Sequence, residues 1–335
     1  MTVVLPMAGL GTRLRPHTWS KPKPLVYVAG DTILGHILRG FQQLPPQDVH
    51  YVFIIGYLGE QIRDYMAREH PDLRVTYVEQ PEALGQSHAL YLAREHLHGP
   101  TLVLFADTVL ETDFTFLANG PEEGYIWVRE VEDPRRFGIA FLDDQGYVTR
   151  IVEKPETTEH KLAVVGAYYF PRGEDLAEAV SEQLARDIRT RGEYYIADAI
   201  NLLLEAGRLR LKPIRVTEWM DAGTPDALLA LNRYLLDHGR ANTAEALRPG
   251  IVVIPPVYID PSAEVTQSVI GPYATIGPGA RVEGSVVRDS IVAHHAELTN
   301  VILTNSLIGR HARVQDSRGV FNIGDHSRVA SASLA

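Results

Sequence analysis

The stretch Ile270–Val282, IGPYATIGPGARV, decides the fold of the C-terminal third of the chain. It contains two adjoining six-residue units, each with Gly after the first aliphatic residue and Ala four positions after it. The six-residue spacing recurs within successive groups: Ile259 and Val265; Ile270, Ile276 and Val282; Val292 and Leu298; Ile308 and Val314; and Ile323 and Val329. Such spacing is typical of hexapeptide repeats, whose short strands stack in coils with the repeated apolar residue inside. We therefore expect a parallel β-helix over residues 251–335, with about four coils at about 18 residues per turn.

The first two thirds of the chain have a different rhythm, because short apolar runs alternate with helical patterns. Strands are predicted at residues 3–5, 51–55, 75–78 and 102–105. Aliphatic residues at helical spacing predict helices at residues 33–44, 196–204 and 226–238. This alternation is typical of βαβ units and predicts an α/β fold, with a Rossmann-like, mostly parallel sheet and helices on both faces.

Composition excludes several classes of function. The 335 residues are 45% hydrophobic, as in soluble globular proteins, and 42 acidic against 32 basic side chains give a net charge of -10. That charge disfavours nucleic acids and anionic membranes as partners. The absence of cysteine excludes disulfides, thiolate metal sites and thiol nucleophiles. The N-terminus has no basic leader, and the apolar run at residues 51–58 is far below the ~20 residues of a membrane span, so we expect a cytoplasmic protein.

A glycine-rich loop, AGLGTRLRP, follows the first predicted strand. Gly9 and Gly11 allow backbone N–H groups to approach a phosphate closely, and Arg13 adds a guanidinium. Lys21 and Lys23 follow shortly, which concentrates cations in an acidic chain and favours a polyphosphate ligand. The third glycine of a dinucleotide fingerprint and the Gly-Lys-Ser/Thr of a Walker loop are both absent. On the glycines alone, an ordinary strand-to-helix turn remains open.

The stretch Gly9–Thr18, continued by Pro22-Lys23-Pro24-Leu25, resembles the signature of the sugar-1-phosphate nucleotidylyltransferases, a family that includes glucose-1-phosphate thymidylyltransferases. The resemblance implies a catalytic domain over residues 1–239, and residues 240–250 are interpreted as a linker. The β-helix at 251–335 is expected to be left-handed because its repeats resemble those of hexapeptide proteins. It implies that the loop wraps a nucleoside triphosphate, with Arg13 and Lys23 serving its phosphates. The nucleotide-binding residues that it implies are Ala8, Gly9, Gly11, Thr12, Arg13, Lys23, Gln80 and Gly85.

Two aspartates are candidate ligands of a metal ion. Asp107 follows a predicted buried strand, and open α/β sheets bind ligands at the carboxyl ends of their strands. Asp221 lies in Trp-Met-Asp-Ala-Gly-Thr-Pro, where a turn residue is an equally ordinary interpretation. The resemblance implies that both carboxylates bind Mg²⁺ and that Arg13, Lys23, Asp107 and Asp221 form the catalytic set. Thr108 follows Asp107 where the thymidylyltransferases commonly have Asn, so the base remains open.

The sugar side is predicted around a β-hairpin formed by residues 137–140 and 147–155. Taken alone, Glu153 and Lys154 would be an exposed charge pair. The resemblance instead implies that the sugar phosphate is bound by Gly138, Glu153, Lys154, Glu193 and Trp219. Consecutive residues of a regular strand point to opposite faces, so the strand must bend just before Pro155 if both charged residues reach the sugar.

The implied reaction transfers a nucleoside monophosphate from a nucleoside triphosphate to a sugar-1-phosphate and releases pyrophosphate. dTTP with glucose-1-phosphate is the first expectation, and UTP is the second. The alternatives are a UDP-glucose or GDP-mannose pyrophosphorylase, a noncatalytic sugar-nucleotide sensor, and an added acyltransferase site at His294, His295 or His311. We expect the β-helix to assemble a homo-oligomer or to regulate rather than to catalyse. A chain ending near Gly239 is therefore expected to retain some activity in a smaller assembly.

Overall fold

The computed structural model describes residues 1–44 and 49–330. Its contacts divide the chain into two compact units, the first formed by Met1–Gly9 and Ile37–Trp219. The second unit is formed by Leu10–His36 and Met220–Ala335. The glycine-rich loop therefore belongs, from Leu10 onward, to the same unit as the C-terminal repeats.

Helices and strands of the first 246 residues follow the predicted alternation. The strands are β1 (Thr2–Pro6), β2 (Tyr27–Val28), β3 (Asp31–Thr32), β4 (His50–Ile55), β5 (Val75–Glu79), β6 (Thr101–Leu104), β7 (Thr108–Leu110), β8 (Gly124–Glu130), β9 (Gly138–Leu142), β10 (Val148–Glu153), β11 (Leu162–Phe170), β12 (Leu211–Arg215) and β13 (Trp219–Asp221). The helices are α1 (Ile33–Arg39), α2 (Gly59–Glu69), α3 (Gln86–Leu92), α4 (Gly173–Ala185), α5 (Ile196–Glu205), α6 (Pro225–Leu235) and α7 (Thr243–Ala246). No helix in the described ranges is long and apolar enough to cross a membrane.

The first unit is built on a nine-stranded mixed sheet in the order β10-β9-β11-β6-β1-β4-β5, with β8 beside β11 and β12 beside β8. β1 lies in its centre and pairs in parallel with β4 and β6. Its Val3, Val4 and Leu5 are fully buried, as expected for a central parallel strand covered on both faces. Residues of α3, α4 and α5 pack with Val4 in one hydrophobic core. The predicted α/β class is confirmed, although β11 runs antiparallel to both β6 and β8.

The C-terminal repeats form three parallel sheets, as in a left-handed β-helix. Sheet one contains β14 (Val252–Val253), β17 (Val269–Ile270), β20 (Val286–Val287), β23 (Ile302–Leu303) and β26 (Arg318–Gly319). Sheet two contains β15 (Val257–Ile259), β18 (Ala274–Ile276), β21 (Ile291–Val292), β24 (Leu307–Ile308) and β27 (Asn322–Ile323). Sheet three contains β16 (Glu264–Thr266), β19 (Arg281–Glu283), β22 (Glu297–Thr299), β25 (Arg313–Gln315) and β28 (Arg328–Ala330).

Each of these sheets has five strands in the described part of the chain, so the expected four coils are one too few. The reason is the length of a turn. Val252 pairs with Val269, 17 residues later, and Val286 pairs with Ile302, 16 residues later. The repeated aliphatic residues face the interior as predicted and form one hydrophobic core with Ala246 of α7. Residues 240–250, interpreted as a linker, thus contain a helix that packs on the first coils.

The three outer faces of the β-helix differ in what they expose. Sheet three presents charged and polar side chains, among them Glu264 and Arg281, which are paired at 3.1 Å. Sheet one presents a column of aliphatic residues in which Val252 is 57% and Ile302 is 45% exposed. Sheet two is the covered sheet, where Ile291 and Leu307 point outward but are only 3% exposed.

Residues 10–36 and α6 help to cover sheet two within the second unit. Thr275 Oγ1 donates to Asn232 Oδ1 of α6 at 2.7 Å. Tyr258 lies so close to Gly30 that a Cβ there would be 2.5 Å from its ring. On the last coil, His17 Nε2 and Asn322 Oδ1 are 2.7 Å apart. The covered sheet therefore contacts the segment that follows the glycine-rich loop.

Candidate active site

The glycine-rich loop closes on the lysine that follows it. Gly11 has φ of 59°, a left-handed conformation that favours glycine, and it precedes a single 3-10 turn at Thr12–Leu14. A Cβ on Gly11 would lie 3.1 Å from Thr18 Cγ2 and 3.2 Å from Lys23 Cβ. Thr18 Oγ1 donates to the Gly11 carbonyl at 2.8 Å. The bare backbone of Gly11 thus lies directly beside Lys23, as a loop that wraps phosphates requires.

Arg13 and Asp221 converge at a second glycine of the same unit. A Cβ on Gly223 would lie 2.8 Å from Asp221 Oδ1 and 3.1 Å from Arg13 Nη2. Directly after it, Thr224 caps α6 by accepting from the Ala227 N–H at 3.3 Å. The structure therefore brings a predicted phosphate-binding guanidinium and a predicted metal ligand to one glycine, whose backbone is buried.

Lys21 does not add to the cations of the loop, contrary to the expectation from its place beside Lys23. Its side chain is 7% exposed, and Nζ lies 2.8 Å from Asp325 Oδ2. A buried lysine that is paired with a carboxylate neutralises that carboxylate and is not available to bind a phosphate. The sequence did not indicate this partner, because Asp325 lies 304 positions away and the repeats are recognised by their aliphatic residues.

On the base side, Gln80 is held in place by its neighbours in the first unit. Its side chain is buried, and Nε2 donates to the Gly85 carbonyl at 3.2 Å and lies 3.1 Å from His88 Nδ1. Gly85 has φ of 117°, and a Cβ there would lie 2.5 Å from the Tyr194 carbonyl oxygen. Gln80 and Gly85 are therefore in direct contact, and no larger residue fits at Gly85 without a shift. Ala8, at the start of the loop, is buried against Gly56.

The two candidate metal ligands lie in different units. Asp107 is half-buried in the turn that joins β6 to β7, held by a hydrogen bond from Phe105 N–H to the Gly166 carbonyl at 3.0 Å. Asp221 ends β13. Within residues 1–44 and 49–330, no three His, Asp or Glu side chains are grouped as metal ligands. One or two carboxylates suit Mg²⁺, which keeps waters and takes its other oxygens from substrate phosphates.

The predicted hairpin on the sugar side is confirmed, and so is the bend at its end. β9 and β10 are antiparallel, with Glu153 opposite Gly138. The strand stops at Glu153, and Lys154 has φ of 47°, with its N–H donating to the Phe137 carbonyl at 2.9 Å. Because of this turn, consecutive residues do not alternate as in a regular strand. Glu153 Oε2 lies only 2.9 Å from the position of a Cβ on Gly138, so the carboxylate lies directly against the glycine backbone.

A group of acids surrounds this position and changes its electrostatics. Burial raises the pKa of Glu153 to about 7; Lys154 opposes the shift, and the negative charges of Asp198 and Glu193 add to it. Burial also raises the pKa of Asp198, to which Thr190 Oγ1 donates at 3.0 Å. Carboxylates packed together are acceptors for hydroxyl donors, which a sugar supplies. Asp198 was not among the predicted binding residues.

Lys154 is held by residues that sequence reasoning missed. Its Nζ donates to the Tyr195 hydroxyl at 2.5 Å, and Arg191 Nη2 donates to the Lys154 carbonyl at 2.9 Å. Both partners lie two residues from Glu193, which the resemblance implies to be a sugar-phosphate-binding residue. Glu193 itself is exposed at the turn, where its backbone pairs with Thr190.

Trp219 belongs to the same unit as the hairpin. Its ring meets the Phe137 ring edge-on, with centroids 4.9 Å apart. Its Nε1 is buried, and among the described residues it has no hydrogen-bond partner. A buried donor without a partner is costly in a folded protein and is expected where a ligand completes the site.

Comparison with known proteins agrees with this architecture and site. A family profile described as nucleotidyl transferase matches residues 2–238. The chain is 31% identical to a glucose-1-phosphate thymidylyltransferase of Streptomyces antibioticus, over 98% of this chain and 99% of that protein. It is 30% identical to the low-salt glycan biosynthesis nucleotidyltransferase Agl11 of Haloferax volcanii, over 94% of both chains. A UTP–glucose-1-phosphate uridylyltransferase, AglF, of the same organism is 31% identical over 68% of this chain and 93% of its own.

Taken together, the mixed sheet, the glycine-rich loop and the β-helix define a nucleotide-handling enzyme class. The chain belongs to the nucleotidyl transferase family, and its resemblance to the sugar-1-phosphate nucleotidylyltransferases is confirmed.

Proposed function

We propose that this protein transfers a nucleoside monophosphate from a nucleoside triphosphate to a sugar-1-phosphate, with dTTP and glucose-1-phosphate as its substrates. The observation that carries the proposal is the meeting of Arg13 and Asp221 at Gly223, all within the residues 2–238 that the family profile matches. The thymidylyltransferase relative supports dTTP because it aligns along nearly its whole length. The uridylyltransferase relative keeps UTP as the second candidate.

The chemistry asks the protein to hold two anions together. A phosphate monoester already carries negative charge at pH 7, because its second pKa is near ~6, so the sugar phosphate needs no general base. Arg13 would hold the departing pyrophosphate, Lys23 the α-phosphate and Lys154 the attacking phosphate. Asp107 and Asp221 would hold Mg²⁺, which supplies further neutralisation of phosphate charge when bound. Each of these side chains thus supplies a charge that is held in position before the reaction begins.

On the sugar side, Glu153 and its neighbours would accept hydrogen bonds from the hydroxyl groups of the hexose, and Trp219 would donate one through its indole N–H. Gly138 leaves room for the sugar ring beside the Glu153 carboxylate, because any side chain there would meet Oε2 at 2.9 Å. Glu193 is assigned to the same pocket through the resemblance.

Two further expectations belong to this proposal. The aliphatic column on sheet one, with Val252 and Ile302 about half exposed, supports a homo-oligomer assembled through the β-helix. A cytoplasmic location remains a prediction, as do the domain boundaries at residues 239 and 251.

The acyltransferase alternative gains no support from the positions of its histidines. His294 is half-buried with its ring 4.7 Å from that of Tyr27, and burial lowers its pKa to about 4. His295, His311 and His326 stack in a column on successive coils, with ring centroids 5.1 and 5.0 Å apart. Neighbouring rings occupy each other's faces, so we propose no catalytic role for this column.

The test is pyrophosphate release measured with Mg²⁺ over a panel of nucleoside triphosphates and sugar-1-phosphates. We expect the largest kcat/KM with dTTP and glucose-1-phosphate, and loss of turnover in Asp107→Asn and in Asp221→Asn. A preference for UTP or GTP would change the substrate assignment. Tight binding of a sugar nucleotide without turnover would identify a sensor instead.

A further inference from the structure

Asp325, on the last coil of the β-helix, is surrounded by donors from two parts of the chain. Lys21 Nζ donates to its Oδ1 at 2.9 Å and its Oδ2 at 2.8 Å, and Ser20 Oγ donates at 2.6 Å. Arg310, one coil earlier, donates through its backbone N–H at 2.7 Å and through Nε at 2.9 Å. The Asp325 side chain is 2% exposed and that of Lys21 is 7% exposed. A buried carboxylate that accepts five hydrogen bonds is fixed in place.

Two of these donors, Ser20 and Lys21, lie shortly before Lys23, the proposed ligand of the α-phosphate. Only Pro22 separates Lys21 from Lys23, and the proline ring fixes its φ, here -67°. Any displacement of Lys21 is therefore passed to Lys23 through one stiff residue. Lys23 in turn packs against Gly11, so the displacement reaches the glycine-rich loop.

A second contact holds the other end of the same segment. The imidazole of His17 and the amide of Asn322 are 2.7 Å apart, and a Cβ on Gly324 would be 2.9 Å from Pro16. Both partners lie on the last coil, within three residues of Asp325. The last coil thus contacts the segment on both sides of Thr18, whose hydroxyl closes the loop onto Gly11.

We propose that Asp325 is a positioning residue for nucleotide binding, which holds Lys21 and Ser20 so that Lys23 and Arg13 adopt their phosphate-binding arrangement. The inference rests on the proposed function and adds a role for the β-helix that the sequence did not indicate. On this basis a chain ending near Gly239 lacks the support of the loop and loses activity, contrary to the expectation from sequence.

The physical reason is the sensitivity of phosphoryl transfer to geometry. A displacement of about 1 Å at a reacting group costs about 100-fold in rate. If Asp325 becomes neutral, Lys21 is left as a buried cation without its counter-charge and must move toward water. Asp325 itself does not reach substrate, so its removal acts on the nucleotide through Lys23 and Arg13.

The test compares Asp325→Asn with Asp289→Asn in the full-length protein. Asp289 is a matched control, because it accepts from Arg233 at 2.7 Å in another ion pair between the β-helix and an earlier segment. We expect Asp325→Asn to lower kcat/KM for the nucleoside triphosphate about 100-fold, with the KM of the sugar-1-phosphate unchanged. Asp289→Asn should leave both values unchanged. Equal nucleotide kinetics in Asp325→Asn and wild type would overturn the proposal.

Hydrogen–deuterium exchange separates this inference from the proposed function. We expect faster exchange in residues 10–25 of Asp325→Asn, and wild-type exchange there in Asp289→Asn, whether or not the panel finds a substrate. If Asp325→Asn does not fold, Ser20→Ala removes the hydrogen bond from Ser20 Oγ to Asp325 Oδ2 and serves as the milder variant. Unchanged exchange over residues 10–25 in Ser20→Ala, with unchanged nucleotide kinetics, would then overturn the proposal.

Discussion

Glu153 and Asp325 are both carboxylates largely shielded from solvent, yet their surroundings shift their pKa values in opposite directions. At Glu153 burial dominates and raises the pKa to about 7, with Asp198 and Glu193 adding repulsion. At Asp325 burial also favours the neutral form, but Lys21, Ser20 and Arg310 outweigh it and hold the pKa below its usual range. The first acid lies in the mixed-sheet unit and the second in the β-helix unit.

The difference distinguishes a carboxylate that awaits a ligand from one that is already satisfied. A buried acid without sufficient donors is costly, and a sugar brings hydroxyl donors to it. A buried acid that accepts bonds from a lysine, a serine and an arginine fixes the positions of those groups. We therefore expect substitutions around Glu153 to affect the sugar phosphate, and those around Asp325 to affect the nucleotide.

The largest effect should follow removal of Arg13, a cation of the glycine-rich loop that Asp325 is proposed to position. Arg13→Ala is expected to lower kcat by about 10³-fold, because an arginine at a transferring phosphate contributes 10³–10⁵ in rate. Its side chain is exposed, so the melting temperature should not change. Steady-state kinetics and thermal unfolding check both statements, with Arg313→Ala on sheet three as the control. Wild-type kcat in Arg13→Ala would remove this residue from the catalytic set.

A smaller and more selective effect is expected on the Glu153 side. Lys154→Ala should raise the KM of the sugar-1-phosphate about 10–100-fold, as loss of a charged hydrogen bond of about 1.5–3 kcal/mol implies. The KM of the nucleoside triphosphate should stay within about twofold of wild type. Lys212→Ala, which removes a surface lysine paired with Glu123, is the matched control. Equal increases in both KM values would contradict separate sites for the two anions.

The raised pKa of Glu153 predicts a pH-dependent stability. Its pKa is about 7 in the folded protein against 4.5 ordinarily, so the folded state binds the proton more tightly and stability falls as pH rises from about 4.5 through 7. Glu153→Gln removes this dependence. We expect its melting temperature to gain about 2–4 °C on wild type between pH 5 and pH 8. The exposed Glu156→Gln should show a constant difference, and the same constancy in Glu153→Gln would refute the assignment.

The smallest effect is expected at an ion pair that water screens. Glu264 and Arg281 lie on sheet three at 3.1 Å, with side chains 68% and 67% exposed. Glu264→Gln should change the free energy of unfolding by less than about 0.5 kcal/mol. Chemical denaturation measures this value, and Asp325→Asn provides the buried comparison. A decrease above about 1 kcal/mol in the free energy of unfolding of Glu264→Gln would show that solvent exposure does not distinguish weak from strong ion pairs in this protein.

Periodicity predicted the fold well because it records which residues face the interior. The aliphatic residues at six-residue spacing all lie on the inner side of the coils, and the buried run of β1 is central in its sheet. The number of coils was wrong because spacing alone does not state how many residues the corners take. The reversed direction of β11 also carries no signal in its apolar sequence, since a strand buried on both faces looks alike in either direction.

The candidate site was predicted where its residues follow one another along the chain. Gly11 with Lys23 and Glu153 with Lys154 lie in short motifs, and the structure places each pair in contact or in one turn. Lys21 was misinterpreted because its partner is remote in sequence. Two neighbouring lysines in the sequence suggest a phosphate-binding site. In the structure, however, Lys21 is paired with Asp325 on a distant coil.

The distance along the chain between Lys21 and Asp325 has a consequence for synthesis. At about 5–20 residues per second, residue 325 is made about 15–60 s after residue 21. During that time the strands of the mixed sheet can pair, but the loop beside Lys23 has not received its final support. On the proposed role of Asp325, a polypeptide interrupted within the repeats would carry every phosphate-handling residue and still handle nucleotide poorly. On the same role, nucleotide binding becomes efficient only after the last coil has been synthesised and has folded against the loop.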